Sequence, residues 1–364
     1  MRSPTDLDAL HHRVQQAITV QITSAVDELA ELGDETTPLI DAVSRLLTGG
    51  KGLRAGFLYW GYRAAGGPDS DAVVRLAASM EFFQGAALLH DDVMDRSDTR
   101  RGMPSAHRAI ATLHSARGWS GDGDRFGDGA AILAGNLCLT WCDQLYATSG
   151  LPDEALARGR SLFDRMRTQL MGGQFLDLLE SVQGWDDLDL DARIASARRV
   201  IRYKSAKYTI EHPLLIGALV GGASAAALPA LSDYGLALGE AFQLRDDLLG
   251  VYGDPEATGK PAGDDLREGK RTVLIAYALD AADAHDRAII ESSLGREDLD
   301  PVGVDALREI FTRVGAVDRV ETLITSLAQE AAHAVDQARI VGTLDPTALD
   351  VLESLIAVST ARHS

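Results

Sequence analysis

Apolar residues recur every three to four positions along most of the chain. Over residues 5–32 they fall at Leu7, Leu10, Val14, Ile18, Ile22, Val26 and Leu29, the spacing of one face of an α-helix. Similar stripes run through residues 70–95, 127–149, 152–183, 190–220, 224–252, 270–283, 303–315, 318–340 and 346–361. Alternating β-branched runs of the kind a half-buried strand needs are missing. Breakers separate the stripes at Gly49-Gly50, Gly66-Gly67-Pro68, Gly118–Gly129, Gly150 to Pro152 and Gly253–Gly263. No Pro-, Gly- or Ser-rich linker and no internal repeat divides the chain. The pattern therefore predicts one all-α domain over residues 1–364, a single large helical bundle.

Composition narrows the function classes. Of the 364 residues 46% are hydrophobic, enough for a substantial core, which excludes a disordered or fibrous chain. A net charge of −19 disfavours binding nucleic acid through broad charge attraction. Two cysteines cannot build a disulfide framework, so a reducing compartment is expected. The first residues lack the apolar core of a signal peptide, and a cytoplasmic location is expected. The longest uncharged run, Pro213–Ser232, is broken by Gly217, Gly221, Gly222 and Pro229. It reads as a buried helix–turn–helix rather than a membrane span, so no stable membrane insertion is expected. Only five basic residues are lysine: Lys51, Lys204, Lys207, Lys260 and Lys270. Where arginine serves almost everywhere else, those lysines are candidates for sites that want a compact point charge.

The sharpest local feature is His90-Asp91-Asp92-Val93-Met94-Asp95, ending an apolar helix over residues 72–89. On a helix Asp91 and Asp95 lie one turn apart on one face, where like charges repel. Mg²⁺ takes one or two carboxylates plus substrate phosphates and would relieve that repulsion; a solvated acidic helix end would read the same way. A second acidic pair, Asp246-Asp247, ends another long apolar helix. It is followed by Lys260 and then by Gly263-Asp264-Asp265-Leu266-Arg267-Glu268-Gly269-Lys270. Two such ends, each followed by basic residues, look like two sides of a metal–polyphosphate site.

The segments Gly49–Arg54, Glu81–Asp95, Arg100-Arg101-Gly102, Gly172–Asp177, Tyr203-Lys204-Ser205 and Phe242–Thr272 stand in one order over about 220 residues. Together they resemble the trans-isoprenyl diphosphate synthases, and all five lysines fall within or beside them. The resemblance implies a helical bundle around a deep central cavity, the isoprenoid synthase fold. It implies Mg²⁺, three ions per site with Mn²⁺ as an alternative, held by Asp91, Asp95 and Asp246, with Asp247 and Asp265 as outer-shell partners. Arg100, Lys204 and Lys260 would hold the allylic diphosphate (dimethylallyl, geranyl or farnesyl), with Ser205 and Gln243 beside it. Lys51, Arg54, Gln84 and Arg101 would hold isopentenyl diphosphate in a metal-free pocket. Lys207 and Lys270 would give electrostatic support. The reaction implied is ionisation, head-to-tail condensation and proton elimination by a homodimeric enzyme, with Asp91, Asp95, Asp246, Lys204 and Arg100 carrying the chemistry.

Two departures matter. The second motif has Gly250 where the family usually carries a third aspartate. Ala86 and Ala87, before Asp91, stand where many farnesyl synthases have chain-stopping aromatics. Two alanines let the product tail pass to a floor at Phe83 or Met80, which predicts geranylgeranyl diphosphate, with farnesyl or longer products as alternatives. A catalytically silent subunit, or a cyclase or irregular synthase on the same scaffold, stays open at this point. Asn136, Thr140 and Gln144 lie near the spacing of a cyclase metal motif but lack its final carboxylate, so a coincidental helix face is expected. Cys138 and Cys142 read as buried thiols and His90 as a shaper of the helix end. The Gly/Asp stretch 121–129 lacks the ligand spacing of an EF-hand.

Overall fold

The computed structural model describes residues 5–185, 187–253 and 263–361. Their contacts divide the chain into two compact units: one up to Gly159 together with Gly217–Gly222, the other Arg160–Ile216 together with Ala223 onward. Among the described residues, apart from a short hairpin, the regular elements of both units are helices.

The first unit contains α1 (Thr5–Leu29), α2 (Thr37–Leu47), α3 (Leu53–Ala64), α4 (Asp71–Met94), α5 (Ala106–Ala116) and α6 (Gly123–Ala147). α4 is its core, packed against α6, α3 and α1. Ser70 caps it, accepting from Val73 N at 3.4 Å. Its buried residues include Val73, Leu76, Met80, Phe82, Phe83, Ala86 and Leu89. Gly85 lets α6 approach: a Cβ there would stand 3.3 Å from Cys138 Sγ. Near its end His90 lies over Gly135 of α6 and bonds Ile132 O at 3.2 Å, the shaping role expected for it. Among the described residues α4 is the one helix long and apolar enough to cross a membrane, and 72% of its apolar window is buried inside the protein; it is a core helix.

The second unit takes most of α7 (Asp153–Val182), then α8 (Leu190–Val200), a π-helix (Ile201–Glu211), the first residues of α9 (His212–Gly221), and α10 (Leu228–Tyr252). It continues through α11 (Asp264–Arg267), α12 (Val273–Ala281), α13 (Ala284–Ser293), α14 (Pro301–Arg313), α15 (Ala316–Val341) and α16 (Pro346–Thr360). α10 is the core helix here, packed against the π-helix and α15. The expected helix–turn–helix of Pro213–Ser232 appears as α9, a turn and α10, with Pro229 in the first turn of α10. The stripe over 190–220 is not one α-helix but α8, the π-helix and α9 in succession.

Part of the acidic excess is structural. Asp122, Asp189, Asp283, Asp300 and Asp345 are N-caps whose carboxylates accept backbone N–H groups of α6, α8, α13, α14 and α16. Asp122 also explains why the Gly-rich stretch 118–129 breaks into helix at Gly123, earlier than its glycines suggest.

His212 is 2% exposed. Burial, with the charges of Lys207 and Arg165 behind it, lowers its pKa to about 3. The ring is therefore neutral, and its 3.8 Å approach to the Glu211 carboxylate is not an ion pair. The unfolded chain binds a proton at this ring below about pH 6.5 and the folded chain does not, so the stability it allows is complete above that pH and lost as pH falls towards the folded value. Between pH 7.5 and 5.0 the wild type should lose about 2 kcal/mol more than His212→Gln, as read by urea unfolding at the two pH values; equal losses would contradict the buried neutral ring.

Candidate active site

In the first unit the acidic motif forms the last turn of α4. Asp95 is the C-cap, its N–H bonded to Asp91 O at 2.8 Å. Asp91 is partly exposed, whereas Asp92, about 100° round the helix, is 2% exposed. Arg100 reaches back to that buried carboxylate: its Nε donates to Asp92 Oδ1 at 2.9 Å, its Nη2 bonds the same oxygen, and Nη2 lies 3.9 Å from Asp91. Asp92 is thus the carboxylate that positions Arg100 beside Asp91. Arg100 belongs to the two-residue strand β1 (Thr99–Arg100), paired with β2 (Met103–Pro104).

Lys51 is exposed at the entry to α3. On α3, Arg54 Nη1 bonds Gln84 Oε1 of α4, and Glu81 accepts Ala55 N at 3.0 Å. Arg101 donates to Leu46 O at 2.9 Å and Thr48 O at 3.3 Å, which brings it against Gly50 and so next to Lys51. Burial and the neighbouring charge of Arg100 lower the Arg101 pKa. Gln84, Ala87 and Asp91 share one partly open face of α4, whereas Met80, Phe83 and Ala86 are buried. Ala86 lies about 140° round the helix from Asp91, and Ala87 stands directly below it.

In the second unit the π-helix carries Lys204 and Ser205. Such segments are rare and often mark functional sites. Glycines let the flanking helices touch its backbone: a Cβ at Gly173 of α7 would stand 2.6 Å from Lys204 N, and one at Gly239 of α10 2.7 Å from Ala206 Cα. The close approach sets Lys204 Nζ 2.5 Å from Asp177 of α7. At the end of α10, Asp246 is exposed and Asp247 buried. Gln243 donates to Asp247 at 2.8 Å, but burial and the nearby Asp265 and Asp246 charges push the Asp247 carboxyl up to about 8. Asp265 of α11 pairs with Lys270 at 2.8 Å. Lys260 lies outside the described residues.

The candidate residues thus form two sets, one in each unit. Asp91-Asp92 stand in the last turn of α4, with no basic residue there, whereas Asp246-Asp247 lie about a turn and a half before the end of α10 at Tyr252. At the α4 end the macrodipole is negative and an exposed carboxylate costs about 0.3–1 kcal/mol. Among the described residues no three His, Cys, Asp or Glu side chains close around one point. A donor set of one or two carboxylate oxygens suits Mg²⁺, which keeps its waters and takes phosphate oxygens as further ligands; the residues fit the ion.

The bland readings hold elsewhere. Gln144 accepts from Gln21 at 2.9 Å and Thr140 bonds its own helix at Asn136 O, so that trio does not converge. Cys138 and Cys142 are buried and form no disulfide. Asp92 and Asp177, the anchors of Arg100 and Lys204, had no assigned role in the sequence. The signal available was the adjacency of each to a motif residue.

The polyprenyl synthetase family model matches residues 37–311. The chain belongs to that family. A polyprenyl synthetase relative, the geranylfarnesyl diphosphate synthase of Aeropyrum pernix, is 32% identical over 278 residues, covering 75% of this chain and 79% of the relative. The geranylgeranyl diphosphate synthase of Methanosarcina mazei is 28% identical over 325 residues, 87% of this chain and 89% of that one. Among solved structures, the geranylgeranyl pyrophosphate synthase of Corynebacterium glutamicum, complexed with isoprenyl diphosphate and magnesium, superimposes with a TM-score of 0.91 at 38% identity, covering 98% and 99% of the two chains. The polyprenyl synthetase chain described here accordingly has the all-α isoprenoid synthase fold.

Removing Arg100 leaves Asp92 buried without its cation. Arg100→Leu should destabilise the protein by about 3 kcal/mol, and adding Asp92→Asn should recover most of that loss, both read by urea unfolding; a single variant as stable as wild type would refute the clamp.

Proposed function

We propose that the protein is a geranylgeranyl diphosphate synthase: a prenyltransferase that joins isopentenyl diphosphate head-to-tail to an allylic diphosphate. The observation that carries this reading is the pairing, in one family member, of two carboxylate-bearing helix ends with the Lys51, Arg54, Gln84 and Arg101 set around α3 and α4. A cyclase has no use for a second diphosphate pocket. Retention of Asp91, Asp95, Asp246, Arg100 and Lys204 argues against a silent subunit.

In this reading residues 1–364 act as one synthase domain. Asp91, Asp95 and Asp246 hold Mg²⁺, with Asp247 and Asp265 as outer-shell partners. When bound, the metal neutralises charge on the leaving diphosphate as a Lewis acid. Arg100, Lys204 and Lys260 bind that diphosphate and stabilise the charge it gains as the allylic C–O bond breaks. Asp92 and Asp177 orient the first two. Lys51, Arg54, Gln84 and Arg101 align isopentenyl diphosphate so that its alkene attacks the allylic cation. Loss of a proton from the adduct then forms the new double bond. No described side chain stands out as the base, and the released diphosphate is the acceptor of that proton. Such a cation requires that water be kept from it.

Ala87, half-buried on the Asp91 face of α4, supports the passage of a tail beyond the farnesyl length, with the buried Phe83, one turn further back, as the floor. Exposed Phe126, Ile132 and Leu133 on α6 support a homodimer covering this helix.

Purified protein with Mg²⁺, isopentenyl diphosphate and dimethylallyl, geranyl or farnesyl diphosphate should give a C20 alcohol after phosphatase treatment. Absence of isopentenyl diphosphate consumption with every primer would overturn the reading. Asp91→Asn should lower turnover by at least about 100-fold with the fold intact by circular dichroism. Ala87→Phe should shift products towards C15, and an unchanged product distribution would remove Ala87 from the tunnel.

A further inference from the structure

A groove of about 380 Å³ lies within the second unit, near the other end of α10 from its acidic pair. α7 lines it with Arg165 and Gln169, the π-helix with Lys207 and Glu211, α9 with His212, and the start of α10 with Ser232. Ser232 stands fourteen residues before Asp246 on α10, about 21 Å along the helix axis. On α7, Gln169 stands eight residues, about 12 Å, before the Asp177 that anchors Lys204. The π-helix thus sends Lys204 towards Asp177, whereas Lys207 Nζ bonds Glu211 Oε2 at 2.9 Å in the groove.

Two cations meet one carboxylate here. Ser232 Oγ donates to Glu211 Oε1 at 2.7 Å, so both Glu211 oxygens are engaged. An ammonium has three donors, and Lys207 keeps two of them for a ligand. Arg165 is exposed, and its charge bears on the His212 ring together with that of Lys207. α10 begins at the groove without a side-chain cap and without an acidic residue in its first turn, so its positive end is open to an anion. The wall also holds orphaned polar atoms. His212 is 2% exposed, and its Nδ1 has no hydrogen-bond partner among the described residues. Gln169 Oε1 has none either, and rotation of that amide would present its N–H groups instead. Buried groups of this kind are rare and call for a partner.

We propose that this groove binds a phosphate group. Its donors converge from three helices, more than the two oxygens of a carboxylate can meet, whereas the oxygens of a tetrahedral phosphate can engage Arg165, Lys207 and the start of α10 together. Leu162, Leu215 and Leu228 line the rest of the groove, which suits a phosphate monoester carrying a short apolar group as well as the free ion. The site stands or falls independently of the prenyltransferase reading.

The test is thermal unfolding of the full chain in Mg²⁺-free buffer at constant ionic strength, titrated with inorganic phosphate or with butyl phosphate. Both should stabilise the protein saturably. Half-saturation at a lower concentration of butyl phosphate would identify the monoester as the ligand, and equal concentrations the free ion. Arg165→Gln should raise the half-saturating concentration about tenfold or more while melting like the wild type without ligand. Lys51→Gln/Arg101→Gln, altered in the proposed isopentenyl diphosphate pocket, should titrate like the wild type. Absence of saturable stabilisation by either phosphate, or an unchanged titration in Arg165→Gln, would overturn the inference. So would a titration lost in Lys51→Gln/Arg101→Gln, which would put the phosphate in that pocket instead.

Discussion

Two core helices carry paired aspartates towards their C-terminal ends. α4 closes on Asp91-Asp92 in its last turn, where the backbone carbonyls already concentrate negative charge, and α10 carries Asp246-Asp247 about a turn and a half before its end at Tyr252. Neither helix gains stability from this, and each is otherwise well built: long, buried and packed against several neighbours. Each unit answers the same electrostatic problem differently. On α4 the buried member of the pair, Asp92, is neutralised by Arg100. On α10 the buried member, Asp247, is held by Gln243 and its carboxyl is pushed towards the protonated form. In both, the outward member (Asp91 or Asp246) is the more exposed and is the one proposed to meet the cation, and the inward member is tied to neighbouring side chains.

The cations show a matching economy. Arg100 rests on Asp92, Lys204 on Asp177 and Lys270 on Asp265 and Glu268. A cation held this way has surrendered part of its conformational freedom before any anion arrives, and less entropy remains to be lost on binding. Close backbone approach does similar work in the second unit. Gly173 on α7 and Gly239 on α10 allow both helices to press on the π-helix, fixing the backbone that bears Lys204.

Much of this was legible in the sequence, for identifiable reasons. α4, α7, α10 and α15 announce themselves because long helices repeat their apolar spacing many times. α3 does not: Phe57, Leu58, Tyr59, Trp60 and Tyr62 are all buried, and a helix covered on all sides has no polar face to create a stripe. The hairpin at Thr99–Pro104 is too short for an alternating pattern. The π-helix is invisible because an apolar stripe over residues 190–220 reads the same whether or not one stretch is wound more loosely. The acidic motifs and lysines were found by spacing and by rarity. The anchors of Arg100 and Lys204 were not, since Asp92 and Asp177 acquire meaning only when the partner cation is seen beside them.

The hairpin carries a tension of its own. Its two-residue turn is Arg101-Gly102, and Arg101 adopts a φ of 54°, a left-handed conformation that disfavours any side chain by about 1–2 kcal/mol. The turn turns two consecutive guanidiniums apart, one onto Asp92 and the other onto the carbonyls of Leu46 and Thr48. A glycine at 101 would relax the backbone and lose the guanidinium at once. Backbone stability and the proposed diphosphate-binding role thus pull this position in opposite directions, and mutational scans that select for heat resistance alone should drift away from arginine here.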